Sequence, residues 1–449
     1  MTNNGTAGKP TALVEPIGHP VDATVSVPGS KSLTNRALLC AALAEGTSTI
    51  DNALVADDSR AMRQALAALG ARVDVDDVAA RVTVTGTGGR LRPGPLALDM
   101  RLSGTTSRFL LPVVATFGQG RYRVDGGPPL RARPMGPVLD GVAALGATVE
   151  AHGEPGHLPV TITAPGRPLG GDVAVAGDTS SQYLSGLMLA GPGARDGLRI
   201  TVTTPLVSRP FVDLTVDVMG AFGVTVKTDG EPGGGGPVLA VPPRGYRAAG
   251  YRVEPDASAA SYLLAAAALL GGRVTVAGLG AATRQGDARF ADLLGAMGAS
   301  VTRTADATTV TGRPGPLLAL GEVDMRDMPD MAQTLAAVAV FADAPTRVRG
   351  VALIRGHETD RIAAVVAELR RAGIRAEEQP DGFVVHPGTP RPARIETYDD
   401  HRMAMSFALL GLRAPGIEIA DPGCVSKTFP GFWAALAALR GSGPPAAAQ

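Results

Sequence analysis

The sequence predicts an α/β protein of two domains, each assembled from three copies of one repeat. The first observation is a phrase in which a helical stretch ends on a glycine and a strand follows. It reads ALAALGARV at 65–73, GVAALGATV at 141–149, VMGAFGVTV at 218–226, LLGAMGASV at 293–301 and ELRRAGIRA at 368–376. Its glycines, Gly70, Gly146, Gly223, Gly298 and Gly373, stand 76, 77, 75 and 75 residues apart. The second is a periodic turn between an apolar helix and a β-branched strand. It centres on Gly46, Gly120, Gly197, Gly272, Pro345 and Gly416, with spacings of 74, 77, 75, 73 and 71. The third is the length, since 449 residues divided by six is about 75. Such a repeat exceeds the roughly 20–50 residues of solenoids and suits a small α/β unit that packs with two others.

Each repeat reads as a first helix, a strand, a second helix and further short strands. The glycine ending each second helix suits a left-handed C′ cap, a conformation that L side chains resist. Each first helix opens on a small-polar or charged cluster. These are PGSKSLTNR (28–36), SGTTSR (103–108), GDTSSQ (177–182), PDASAAS (255–261), PDMAQT (329–334) and DDHRMAM (399–405). With Lys31, Thr105, Ser180, Asp256, Asp330 and Asp400 as markers, the spacings are 74, 75, 76, 74 and 70. Ser, Thr and Asp are ordinary N-caps at such places. A helix start also exposes unpaired N–H groups and the positive end of the dipole, so it attracts anions. Three repeats about a pseudo-threefold axis would point their helix starts to one end of a domain. Two such domains facing one another predict a small anionic ligand between them. Lys31, Arg36, Arg108 and Arg402 flank these starts and fit that expectation.

Composition narrows the function. Apolar residues make up 45% and charged residues 19%, an ordinary globular balance. Lys+Arg and Asp+Glu are both 42, so a general nucleic-acid or anionic-membrane surface is not expected. The longest apolar run, 259–272, is interrupted by Ser261 and is too short to span a bilayer. The N-terminus is polar and shows no secretory pattern. Cys40 and Cys424 make no disulfide framework or zinc site, and the six histidines have no metal spacing. A metal-free protein of a reducing, cytoplasmic compartment is expected.

Only Lys9, Lys31, Lys227 and Lys427 are lysines among the 42 basic residues. Lys31 and Lys427 lie in Gly/Ser/Thr-rich segments, and an ammonium, unlike a guanidinium, can give up its proton. Charge also gathers in PLRARPMG (129–136), IRGHETDR (354–361) and CVSKTFPG (424–431). Several arginines reaching one place suit a phosphate or carboxylate clamp, because the guanidinium fork matches both. GTGGR at 86–90 is a lone Gly-rich turn and weak evidence for nucleotide binding.

Nine segments together carry a resemblance. They are PGSKSLTNRALL, LSGTTSR, RARPMGPVLD, SSQYLSGLML, VSRPFVDLTVDVM, VDMRDMPDMAQTLA, IRGHETDR, YDDHRMAMSFAL and DPGCVSKTFPGFW, running in order from residue 28 to 433. In them the sequence resembles the enolpyruvyl transferases, in the branch that acts on shikimate 3-phosphate. The resemblance implies a two-domain enolpyruvyl transferase-like α/β fold of six repeated βαβαββ units, three per domain about a pseudo-threefold axis. It places one domain at 1–27 and 249–449 and the other at 28–248, with crossings near Val27–Gly29 and Ala248–Arg252 and the active site in the cleft between them. Residues 1–11 and 441–449 are expected to fray, and EPGGGGP at 231–237 to form a flexible loop.

The implied reaction moves the enolpyruvyl group of phosphoenolpyruvate to the 5-hydroxyl of shikimate 3-phosphate, without metal or organic cofactor. By motif, Lys31 would touch both substrates. Ser32, Arg36, Ser180, Ser181, Gln182, Ser208, Asp330 and His357 would hold shikimate 3-phosphate. Gly104, Arg133, Gln182, Arg361, Arg402 and Lys427 would hold phosphoenolpyruvate. Asp330 would take the hydroxyl proton, with Lys31 an alternative base, and Glu358 would help protonate the methylene carbon. Leu102, Phe211 and His357 stand where the family often has Asn, Tyr and Lys, so contacts there are expected to differ. Gly104 is the small residue of herbicide-sensitive members, which implies glyphosate inhibition competitive with phosphoenolpyruvate. The sister enzymes acting on UDP-N-acetylglucosamine mostly carry a cysteine in a loop that here corresponds to about 117–133, and no cysteine stands there. A non-catalytic relative would typically lose the base or the clamp, yet Lys31, Asp330, Glu358, Arg402 and Lys427 are all present. A monomer binding only small molecules is expected.

Overall fold

The computed structural model describes residues 10–229, 236–313 and 315–442. The expected flexible segment 231–237 and the two expected frayed ends therefore fall largely outside the described residues. Pro10 and Thr11 do not fray: the Asp421 N–H donates to the Pro10 carbonyl at 2.8 Å, and Thr11 pairs with Ala420.

The chain divides into two compact lobes. One comprises the described residues of 1–27, 257–283 and 287–449; the other comprises those of 28–256 and 284–286. The segment past Ala248 stays with the second lobe because Gly250–Arg252 adds a parallel strand to Thr47–Asp51.

The second lobe holds three four-stranded sheets. In chain terms two of them read edge strand, first helix, inner strand, second helix, then a hairpin. Leu96–Asp99 runs parallel to Gln119–Asp125, which pairs antiparallel with Val160–Pro165, and Thr148–Ala151 closes the sheet. Gly171–Val175, Leu198–Val202, Val238–Val241 and Lys227–Asp229 repeat this order. Thr47–Asp51, Arg81–Thr85 and Arg72–Asp76 form the remaining sheet, whose edge strand is Gly250–Arg252 from the far end of the lobe.

The first lobe follows the same plan with one shortened member. Val21–Val25 supplies the parallel edge to Gly272–Ala277, and Glu322–Asp324 supplies it to Thr346–Arg349. The last sheet has three strands, Ala393–Ile395, Ile417–Ala420 and Thr11–Val14. There the antiparallel partner of Ile417–Ala420 comes from the start of the described chain. The sixth sheet thus lacks the fourth strand that the other five have, and of those five the first and fourth repeats borrow their edge strand from a distant part of the chain.

The first helices form the lobe cores. Gly104 through Thr116 are all buried in the helix Gly104–Phe117, as are Ala257 and Ala259–Leu269 in Ala257–Leu270. Burial on every side explains why most of the residues in these segments are apolar. The second helices are amphipathic, as in Arg361–Arg371. Gly70, Gly146, Gly223, Gly298 and Gly373 have φ of 110°, 84°, 85°, 104° and 78°, the left-handed caps that the repeat requires. Gly186, in the helix Ser181–Ala190, allows a close helix crossing. A Cβ there would lie 2.3 Å from the Arg108 carbonyl oxygen, whose usual helical donor is missing because Pro112 has no N–H. Among the described residues no helix is long and apolar enough to cross a membrane.

Candidate active site

In the first lobe the motif residues converge on one guanidinium. Asp360 caps the helix Arg361–Arg371 by accepting from Ile362 N and Ala363 N at 3.1 and 3.0 Å, which sets Arg361 at the helix start. The Arg361 side chain is 1% exposed. Its Nε donates to Asp400 Oδ2 at 2.7 Å, Nη1 to Asp330 Oδ1 at 2.8 Å, and Nη2 to Glu358 Oε2 at 2.9 Å. Nη1 also donates to His357 Nδ1 at 3.0 Å, so that ring nitrogen is the unprotonated one.

Two further cations complete the cluster. Arg402 Nη2 donates to Asp330 Oδ2 at 2.8 Å, and Lys427 Nζ donates to Glu358 Oε1 at 2.7 Å. Asp400 is fully buried and also caps its own helix through Arg402 N at 2.9 Å. Three cations thus face three carboxylates in a nearly dry setting, where removing any one leaves an uncompensated charge. Burial alone would lower the Arg361 pKa. The carboxylates of Asp400, Glu358 and Asp330 outweigh it and push the value up, so the charge is firmly held. Behind Arg402, Ser258 Oγ lies 3.5 Å from Nη2 and donates to Asp287.

In the second lobe the site residues lie at or beside helix starts. Lys31 opens the helix Lys31–Leu43. Ser30 makes no capping bond with its side chain; Asp256 does so by accepting the Lys31 N–H at 2.9 Å. Asp256, marked in the sequence as the start of the fourth repeat, therefore also secures the first. Ser32 is half-buried on the same turn. Arg36 points inward and is 2% exposed. Its Nε donates to Thr215 Oγ1 at 2.8 Å, Nη1 to the Ser32 carbonyl at 2.9 Å, and Nη2 to Ser185 Oγ and the Phe211 carbonyl at 3.2 and 3.1 Å. Four of its five N–H groups are so engaged, all with neutral acceptors. Burial lowers its pKa to about 10. Its main work within the lobe is to tie three helices together.

Ser103 caps the helix Gly104–Phe117 through Thr106 N at 3.2 Å. A Cβ on Gly104 would lie 2.7 Å from Arg133 Nη1 and 2.8 Å from Arg133 Cζ, so the glycine makes room for that guanidinium. Ser180 caps Ser181–Ala190 through Gln182 N at 3.3 Å, and Ser181 is buried. Gln182 Oε1 accepts from Arg108 Nη1 at 2.9 Å, and Arg108 lies over the Tyr183 ring at 5.1 Å. Ser208 is buried with φ 56° and ψ 37°, a left-handed cap costing on the order of 1 kcal/mol for a residue with a Cβ.

Sequence reasoning left Asp400, Asp256 and Arg108 off the set of site residues. Asp400 and Asp256 were visible as helix-start markers and Arg108 as a flanking cation, yet their partners lie 39, 225 and 74 residues away. Leu102 is 38% exposed. Among the described residues no group of three or more His, Cys, Asp or Glu side chains is arranged to hold a metal.

The fold defines the class. The enolpyruvyl transferase NikO from Streptomyces tendae superposes with a TM-score of 0.77 at 21% identity, covering 96% of this chain and 98% of that one. The EPSP synthase of Acinetobacter baumannii superposes with a TM-score of 0.79 at 28% identity, covering 96% and 98%. The family model for EPSP synthase (3-phosphoshikimate 1-carboxyvinyltransferase) matches residues 16–436, and the chain belongs to that family. The 3-phosphoshikimate 1-carboxyvinyltransferase of Nostoc punctiforme is 44% identical over 423 residues, 94% of this chain and 97% of that protein. The chloroplastic 3-phosphoshikimate 1-carboxyvinyltransferase of Petunia hybrida is 41% identical over 448 residues, 96% and 86% of the two chains.

Proposed function

We propose that the protein transfers the enolpyruvyl group of phosphoenolpyruvate to the 5-hydroxyl of shikimate 3-phosphate, releasing phosphate. Family membership carries the reaction class, a step of the shikimate pathway leading to the aromatic amino acids. The observation supporting the chemistry is the cluster on Arg361, in which two part-exposed carboxylates, Asp330 and Glu358, are each held between two cations.

An arriving phosphate or carboxylate competes for the donors of Arg361, Arg402 and Lys427 and leaves the two carboxyl groups free for proton transfer. The 5-hydroxyl oxygen attacks C2 of phosphoenolpyruvate, and its proton passes to Asp330. The C2–C3 double bond takes a proton at C3 from Glu358 in its acid form, giving a tetrahedral intermediate. The C2–O bond to phosphate then breaks, and the proton held by Asp330 leaves with the phosphate. Glu358 recovers a C3 proton, and the vinyl ether forms. The cations hold the phosphate and carboxylate throughout and stabilise the charge at the transition state. Lys31, Gly104, Arg133, Gln182 and the serines 32, 180, 181 and 208 serve the same substrate pair, with His357 beside the acceptor and one remaining Arg36 N–H available to it. We take the enzyme to act as a cytoplasmic monomer without a metal or organic cofactor; sedimentation velocity tests the monomer.

Deuterium uptake from heavy water into the methylene group tests the roles. Glu358→Gln should lower both turnover and exchange by roughly 10²–10⁴. Exchange at the wild-type rate in that variant would remove Glu358 from the C3 step.

A further inference from the structure

The second lobe carries a cavity of about 1110 Å³ at the C-terminal ends of its first helices, lined among others by Leu43, Phe117 and Gly193. These lie at or just beyond the ends of Lys31–Leu43, Gly104–Phe117 and Ser181–Ala190, whose opposite ends carry the site residues above. Arg90, Arg167, Arg244 and Arg247 also line it. The first three occupy corresponding places in the three repeats, since 90 to 167 and 167 to 244 are both 77 residues. Each follows the last strand of its repeat, Arg81–Thr85, Val160–Pro165 or Val238–Val241. Gly88 and Gly89, with φ of 59° and 75°, form the left-handed turn that delivers Arg90. The GTGGR segment thus brings Arg90 to the cavity wall.

All four arginines are exposed, and among the described residues none is paired with a carboxylate. The first lobe differs: Arg313, which directly follows Ala307–Gly312, donates to the Gly298 carbonyl at 2.7 Å. Offsetting the helix dipoles is too small a task for this much charge. Three helix C-termini present about −1.5 in all, and Glu45, the cavity's single lining carboxylate among the described residues, adds −1 against four positive charges. An excess of about +1.5 remains unmatched.

We propose that this cavity is a second anion site, for a compact polyanion bearing several phosphate or carboxylate groups. Three guanidinium forks contributed by three repeats to one cavity favour a polyanion with several anionic groups over a single phosphate.

Calorimetric titration of the full-length protein at low ionic strength, with inorganic tripolyphosphate and separately with citrate, tests this. The wild type should show a binding event that is at least roughly tenfold weaker in Arg90→Gln/Arg167→Gln/Arg244→Gln. That variant should keep its transfer activity and melting temperature. Glu45→Gln should tighten the same event by roughly threefold, and added salt should weaken it. Tighter tripolyphosphate identifies a phosphate-type ligand, and tighter citrate a carboxylate-type one. Isotherms that are the same in wild type, triple variant and Glu45→Gln would overturn the proposal.

Discussion

Replacing Arg361 with Met should destabilise the first lobe more than any surface change of charge. Arg361 is 1% exposed and faces Asp400, which is 0% exposed, at 2.7 Å. Asp330 and Glu358 share the same guanidinium at 2.8 and 2.9 Å. Met fills much of the volume but leaves Asp400 buried without its cation. Breaking a buried pair from one side costs about 3–5 kcal/mol. For a folding unit of this size each kcal/mol moves the melting temperature by roughly 2–4 °C, so a fall of about 6–20 °C is expected. Scanning calorimetry reads it directly. Adding Asp400→Asn to Arg361→Met removes the stranded charge and should return about 1 kcal/mol or more, a coupling that independent sites would not show. A melting shift under about 2 °C in the single variant, or a further fall in the double, would refute this reasoning.

Gly104→Ala should push Arg133 aside, because the new Cβ lies 2.7 Å from Nη1, the movable end of a long side chain. Steady-state kinetics should show a raised KM for phosphoenolpyruvate and weaker glyphosate inhibition at nearly unchanged melting temperature; unaltered inhibition would contradict it. Gly186→Ala meets the Arg108 carbonyl at 2.3 Å, and backbone cannot yield as a side chain can, so a loss of about 1–3 kcal/mol is expected by denaturant titration. Burial pushes the Cys424 thiol up to about 12 and raises Cys40 as well. The neutral thiol is the favoured form, and at pH 8 the Cys424 thiolate fraction lies about three orders of magnitude below that of a free cysteine. The native protein should therefore react slowly with a disulfide reagent at pH 8, and both thiols should react once it is denatured.

Periodic glycines made the fold legible. Gly70, Gly146, Gly223, Gly298 and Gly373 all sit at positive φ, where few other residues are tolerated, so the repeat left a mark that one sequence could reveal. Periodicity does not say which strand closes a sheet. Gly250–Arg252 beside Thr47–Asp51, and Thr11–Val14 beside Ile417–Ala420, are pairings between distant segments with no local signature. Helix starts were legible as polar clusters, but their partners were not. Asp400 reads as an N-cap and is one, yet its carboxylate also holds Arg361. Arg36 reads as a cation flanking a helix start, and nothing local shows that Thr215, Ser185 and Phe211, contributed from distant segments, draw it inward. Arg90, Arg167 and Arg244 share one register, but the motif around Arg90 alone gave no reason to compare it with the other two.

Phosphate release tests the central claim most directly. The purified protein, with no added metal, is mixed with phosphoenolpyruvate and shikimate 3-phosphate, and each substrate is then left out in turn. Release should require both substrates and should vanish in Asp330→Ala and Lys31→Met. Release with UDP-N-acetylglucosamine in place of shikimate 3-phosphate, or none with either acceptor, would contradict the assignment.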